Sequence, residues 1–138
     1  MERILVVEDN EEIAALLNFK LKHSGYEVSY AENGKLGLEA VKASTPDLII
    51  LDVMMPVMNG LEMLKVLKSD ESTKSIPVIV LTALANEWEI VEGLELGADD
   101  YIAKPFKSQE FAARVRAVLA RCKASNSVQS CRTQEYPS

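Results

Sequence analysis

Five side chains able to do chemistry stand directly after short apolar runs. Glu8 and Asp9 follow "RILVV" (Arg3–Val7), Asp52 follows "LIIL" (Leu48–Leu51), Thr82 closes "PVIVLT" (Pro77–Thr82), and Lys104 follows "DYIA" (Asp100–Ala103). Taken singly, each has an ordinary explanation: an acid caps a helix N-terminus, a threonine ends a β-branched strand, and an edge lysine snorkels. Taken together, three carboxyls, a hydroxyl and an ammonium make an oxygen-rich site with a positive group beside it. Two carboxylates about 4 Å apart repel by about 4 kcal/mol at an effective dielectric of about 20. Either one stays protonated or a cation joins them. An all-oxygen cluster with few protein ligands suits Mg²⁺, with waters completing an octahedron.

The elements that must bring these residues together can be read from the pattern. Arg3–Val7, the alternating "YEVSYA" (Tyr26–Ala31), Leu48–Leu51, Pro77–Thr82 and Asp100–Ala103 read as strands. Between them Ile13, Leu16, Leu17 and Leu21 recur at helical spacing, with Asn10 as cap and Gly25 as stop. Asn33-Gly34 opens a second helix carrying Leu36, Ala40 and Val41 that ends before Pro46; Gly60 precedes a third, with Leu64 and Leu67. Asn86–Leu96 reads as a fourth helix with Val91 and Leu94 inward. Ser108 caps a last one bearing Phe111, Val115, Val118 and Leu119. Five strands alternating with five helices imply an α/β fold, a doubly wound parallel sheet covered on both faces. Its near-continuous apolar runs belong to central strands, and its polar second and short fifth runs to edges. In such a sheet all strands end on one edge, where ligands bind. Asp52 is therefore expected at the lip of the sheet rather than in its core.

The totals set bounds. At 138 residues the chain fits one domain with a sizeable core. A net charge of −6 argues against binding nucleic acid nonspecifically through a basic face. No apolar run approaches the roughly 18 residues of a membrane span, and no signal-peptide core is visible, so a cytoplasmic location is expected. Cys122 and Cys131 read as free thiols in a reducing compartment, and His23 as a helix-end surface residue. From Ala124 on the sequence is polar and aperiodic, which predicts an ordered domain over 1–123 and a disordered tail or linker over 124–138.

The stretches "ILVVEDN", "PDLIILDVMMPVMNGLEML", "IPVIVLTA" and "GADDYIAKPF", in this order, resemble the response-regulator receiver domain, the CheY-like phosphoacceptor of two-component signalling. The resemblance implies the flavodoxin-like strand order 2-1-3-4-5. It makes Asp52 the acceptor of a phosphoryl group from a phosphohistidine on a sensor histidine kinase or histidine phosphotransfer protein. It implies that Glu8, Asp9, Asp52 and the backbone carbonyl of Met54 hold Mg²⁺. Lys104 would pair with the phosphoryl oxygens and Thr82 would hydrogen-bond one of them. Tyr101 matches the aromatic switch position, Lys104-Pro105 a peptide bond that is cis in this family, and Pro56 and Gly60 the loop after Asp52. Output would pass to a partner protein through the face made by the fourth helix, fifth strand and fifth helix. The protein would act as a switch rather than an enzyme, although it contributes to its own phosphorylation and dephosphorylation. Met54 and Leu84, two positions beyond Asp52 and Thr82, lie where they would gate attacking water, and an apolar Leu84 suggests a long-lived phosphoryl group.

Two features depart from the family's common pattern. Glu8 stands where aspartate is frequent, which still serves Mg²⁺. The stretch "NEWEIVEGLEL" has Glu87, Glu89, Glu92 and Glu95 but no basic residue, whereas winged-helix members often pair a base there with an acid on the fifth helix. Because "GADDY", Glu110, Arg114 and Arg116 resemble the rest of that dimer face, a homodimer stays an open alternative. A haloacid-dehalogenase-type phosphohydrolase would want a second aspartate two positions after Asp52, where Met54 stands. A flavin binder would not present Glu8 and Asp9 to a phosphate. A receiver cut from a longer DNA-binding regulator and a phosphorylation-independent docking module complete the alternatives. Direct nucleic-acid binding and membrane association by this chain are not expected.

Overall fold

A computed structural model of the chain describes residues 2–52, 60–82, 95, 97–103 and 107–125. Along the described chain run β1 (Arg3–Val7), α1 (Glu11–His23), β2 (Glu27–Ala31), α2 (Gly34–Ala43), β3 (Leu48–Asp52), α3 (Gly60–Ser69), β4 (Val78–Thr82), β5 (Asp100–Ala103) and α4 (Ser108–Ser125). The helix expected over Asn86–Leu96, with Val91 and Leu94, lies outside the described residues save Glu95. The five strands form one parallel sheet in the order β2-β1-β3-β4-β5, as expected.

Why the central strands read as unbroken apolar runs is plain from their two faces. Leu5, Val7, Ile49, Leu51, Val78 and Val80 pack on one side with Val41 of α2 and Met63, Leu64 and Leu67 of α3. Ile4, Val6, Leu48, Ile50, Ile79 and Leu81 pack on the other with Leu17 and Leu21 of α1 and Phe111, Val115 and Val118 of α4. Successive strand side chains point to opposite faces, and both faces are covered. Among the described residues β2 pairs with β1 alone, and Glu27, Ser29 and Tyr30 are exposed there.

Local chemistry sets the helix ends. The Asn10 side chain accepts from the amides of Glu12 (2.9 Å) and Ile13 (3.1 Å), which fixes the start of α1. Glu11 and Glu12 in its first turn and Lys20, Lys22 and His23 in its last complement the helix dipole. Gly25, at φ 96°, takes the left-handed turn that follows. Asn33 accepts from Leu36 N at 2.8 Å to start α2.

Several expectations need correction. Leu16 and Leu36 face outward, 46% and 40% exposed, because each sits about 100° around the helix from an inward neighbour. In α1 that neighbour is Leu17. In α2 it is Gly37, where a Cβ would come within 2.9 Å of Met63 Cε and 3.1 Å of Val7 Cγ2. The close approach of α2 to the sheet therefore uses a glycine as its inward residue. Gly60 begins α3 instead of preceding it. Lys107, whose carbonyl accepts from Phe111 N at 3.0 Å, stands at the entry of α4, and Ser108 is already helical. α4 extends through Ala124 and Ser125. Among the described residues no helix is long and apolar enough to cross a membrane.

Candidate functional site

β1 and β3 place two acids side by side. Val7 lies opposite Leu51 in the register, so the next residues along the two strands, Glu8 and Asp52, meet at the carboxyl edge. Glu8 N donates to Ala31 O at 3.1 Å, which carries the β1–β2 pairing one residue beyond the strand. Asn10 N donates to Glu8 Oε2 at 3.3 Å, so the turn that caps α1 also holds the Glu8 carboxylate. Glu8 and Asp52 are 1% and 2% exposed, and Asp9 is exposed. Carboxylate oxygens of Glu8, Asp9 and Asp52 lie within 4.8 Å of one another. The expectation of an Asp52 outside the core needs refinement: it ends its strand, yet it is buried.

Among the described residues no buried side-chain nitrogen or oxygen lacks a hydrogen-bond partner. The cluster brings like charges close together. Its donor set is three hard oxygens, two of them nearly sealed from water, and this fits a small divalent cation such as Mg²⁺. Among the described residues the cluster contains no soft or nitrogen ligand of the kind copper favours.

Thr82 ends β4 opposite Ala103, the last residue of β5, at the same edge. Tyr101 lies opposite Val80, half-buried, and packs against the core cluster on the α2–α3 side of the sheet. Met54, Leu84, Lys104 and Pro105 lie outside the described residues. Arg114 donates to both carboxylate oxygens of Asp100, at 2.9 and 3.0 Å, and to Glu110 at 3.3 Å. Asp100 pushes the Arg114 guanidinium pKa further up. Three residues named for a dimer face, Asp100, Glu110 and Arg114, are thus joined to one another inside one chain.

Sequence reasoning assigned no residue of β2 to the site, although that strand ends at the same edge. Tyr30 stands there, 46% exposed. Burial of part of its ring and the carboxylates of Glu32, Glu11, Glu8 and Asp9 hold its hydroxyl above the ordinary tyrosine range. The visible signal was an aromatic two residues before Glu32 on an otherwise polar edge strand.

The comparisons with known proteins agree with this geometry. Residues 4–116 match the response regulator receiver domain. The chain is 46% identical over 120 residues to the alkaline phosphatase synthesis transcriptional regulatory protein PhoP of Bacillus subtilis, a match covering 87% of this chain and 49% of that protein. The chain spans about half the length of the curated relatives it matches. Among solved structures, the receiver domain of a signal transduction histidine kinase from Syntrophus aciditrophicus superposes with a TM-score of 0.84 at 37% identity, over 94% of this chain and 98% of that one. The receiver domain of sensor histidine kinase PA1611 from Pseudomonas aeruginosa, described with a magnesium ion coordinated in its active-site cleft, gives 0.80 at 28% identity, over 86% and 98%. The chain belongs to the response regulator receiver domain family of two-component signalling.

Proposed function

We propose that the chain is a phosphoacceptor switch in which Asp52 receives a phosphoryl group from a phosphohistidine on a sensor histidine kinase or phosphotransfer protein. The observation that carries this reading is the meeting of the Glu8, Asp9 and Asp52 carboxylates within 4.8 Å at the carboxyl edge. An Asp52 carboxylate oxygen attacks phosphorus as the phosphorus–nitrogen bond breaks. The phosphohistidine ring carries a proton on its other nitrogen, so the electron pair leaves with a neutral imidazole, and an acyl phosphate remains on Asp52. Hydrolysis later reverses the state: water attacks phosphorus, the bond to Asp52 breaks, and inorganic phosphate leaves.

Glu8, Asp9, Asp52 and the Met54 carbonyl would hold Mg²⁺. When bound, Mg²⁺ supplies the charge neutralisation that phosphoryl transfer needs more than covalent chemistry. Glu8, fixed from Asn10 N and sealed from water, keeps the acid cluster preorganised. Lys104 pairs with the phosphoryl oxygens and Thr82 donates its hydroxyl to one of them. The modification adds about −1.5 to −2 charge. Drawing Thr82 inward lets Tyr101 take up the vacated space, with a coupling of about 1–3 kcal/mol between phosphorylation and the partner-binding face. The output partner is a protein. The chain works as a signal carrier in the cytoplasm rather than as an enzyme, with the receiver over 1–123 and a linker or tail over 124–138.

A second reading places this receiver in a longer DNA-binding regulator. It is supported by the identity to a transcriptional regulatory protein of about twice the matched length.

Intact-protein mass spectrometry after incubation with a small acyl-phosphate donor tests the first reading. A Mg²⁺-dependent gain of one phosphoryl group in the wild type, lost in Asp52→Asn, is expected. A gain that survives Asp52→Asn overturns the assignment of the acceptor.

A further inference from the structure

β2 is the outermost strand on its side of the sheet, and its exposed edge borders a groove of about 290 Å³. The wall is the flank of α1, formed by Glu11, Ala14, Ala15, Asn18 and Lys22, and the floor is Val28 and Tyr30 of β2. This flank is small in its middle, where two alanines leave room, and charged at its ends. From Glu11 to Lys22 the helix advances about 16 Å, which is the length of about five residues of extended chain. β2 itself has five residues. The space under the helix flank and the open edge of the sheet therefore match in length and run side by side.

The charges give the groove a direction. At the Glu11 end, Tyr30 sits among Glu11 and Glu32, with Asp9 beyond, and at the other end stands Lys22. We propose that this groove docks an extended segment of a partner protein, added along the outer edge of β2. A lysine or arginine of that segment lies at the Glu11–Tyr30 end, and its apolar side chains lie over Ala14, Ala15 and Val28. Strand addition supplies backbone hydrogen bonds, and alternate side chains entering the groove supply selectivity. A second copy of this chain fits poorly, because pairing two β2 edges brings Glu27 and Glu32 of each against acids of the other in a protein of net charge −6.

The test uses the full chain, nitrogen-labelled, and a synthetic probe, acetyl-Arg-Thr-Val-Thr-Val-Thr-Glu-amide, whose arginine, valines and glutamate share one strand face, followed by amide NMR. The expected result is a set of shifts confined to Glu27–Ala31 and the Glu11–Lys22 flank, with slowed hydrogen exchange in β2. The same peptide with glutamate in place of arginine binds more weakly, and Glu11→Lys weakens the arginine peptide about three- to fivefold. Ala15→Trp, at an exposed position, fills the groove and removes binding, while phosphoryl uptake at Asp52 is unchanged. No shift at millimolar peptide, shifts elsewhere, or equal binding of the two peptides overturns the proposal. If Arg132→Glu moves the same amides with no peptide present, the chain's own tail is the occupant and a partner is not. Concentration-dependent dimerisation through the same amides assigns the groove to a second copy and equally overturns it.

Discussion

Acids stand at both ends of the sheet, and the fold uses them in opposite ways. At the amino end, Asp47 accepts from Arg3 N at 2.8 Å and donates its own amide to Arg3 O at 2.7 Å. Asp99 does the same with Val78, accepting from Val78 N at 2.9 Å and donating to Val78 O at 2.8 Å. Each of these carboxylates meets a strand-starting amide, and the two are spread along the edge. At the carboxyl end Glu8, Asp9 and Asp52 crowd within 4.8 Å of one another, two of them nearly buried. A carboxylate stabilises where it meets a strand-starting N–H, and mutual repulsion works against folding where three are gathered.

The sharpest way to break this comparison is to remove one acid from each end. Asp52→Asn is expected to raise stability by about 1–2 kcal/mol at low ionic strength, because a like-charge repulsion is relieved in a water-poor place. Mg²⁺ at a hundred times its dissociation constant should stabilise the wild type by about 2.7 kcal/mol, and the asparagine variant by much less. Asp99→Ala should go the other way and lower stability by about 1–2 kcal/mol, since Val78 N loses its charged acceptor. Urea unfolding with and without Mg²⁺ reads all of these. Equal signs for the two substitutions would erase the distinction between the ends.

The amino end also holds the connection from α3 to β4, and it should fail without touching the chemistry. Thr73 is buried, and its hydroxyl donates to Leu67 O at 2.6 Å near the end of α3. Lys68 Nζ reaches over the same connection to Ile76 O at 2.7 Å and Lys74 O at 3.1 Å. Thr73→Val keeps the volume and leaves the carbonyl without that donor, for an expected loss of about 1–2 kcal/mol. Phosphoryl uptake, followed by mass, should stay at the wild-type level. A drop in uptake with the fold intact would show that the two ends are coupled.

How legible these two ends were in the sequence differs as well. The site acids could be found because they follow apolar runs of a kind that only doubly covered strands show, and a parallel sheet collects such ends on one edge. Asn10 and Asn33 were legible as caps because their side chains have one local task. What could not be read was which side of a helix faces in when two hydrophobic residues are adjacent. Leu16 beside Leu17, and Leu36 beside Gly37, are resolved only by neighbours far along the chain. Gly37 is the clearest case: its reason lies in Met63 and Val7, and nothing within α2 announces it. Gly37→Ala therefore tests a tertiary fact against a local one. Alanine favours the helix by up to about 1 kcal/mol, but the crowding at Met63 and Val7 should outweigh this and leave a net loss of about 1 kcal/mol in thermal unfolding. A more stable variant would mean that Met63 swings aside freely.

The smallest effect expected belongs again to a lone acid, Asp70, just after α3. Its carboxylate accepts from Ser72 N at 2.9 Å and from Ser72 Oγ at 2.8 Å. These bonds, the backbone one first, hold its pKa below the ordinary aspartate value. A carboxyl whose folded pKa is depressed contributes stability above its unfolded pKa, about 3.9, and loses it as the pH falls through the folded value. Asp70→Asn keeps the shape and one acceptor oxygen but has no charge to lose. The stability difference between wild type and variant should therefore favour the wild type near neutral pH. It should shrink from about pH 4 downward, as read from urea midpoints measured across that range. A difference that stays constant with pH would mean that the Ser72 bonds act through geometry alone, and that a lone acid at this end of the molecule works as a neutral acceptor would.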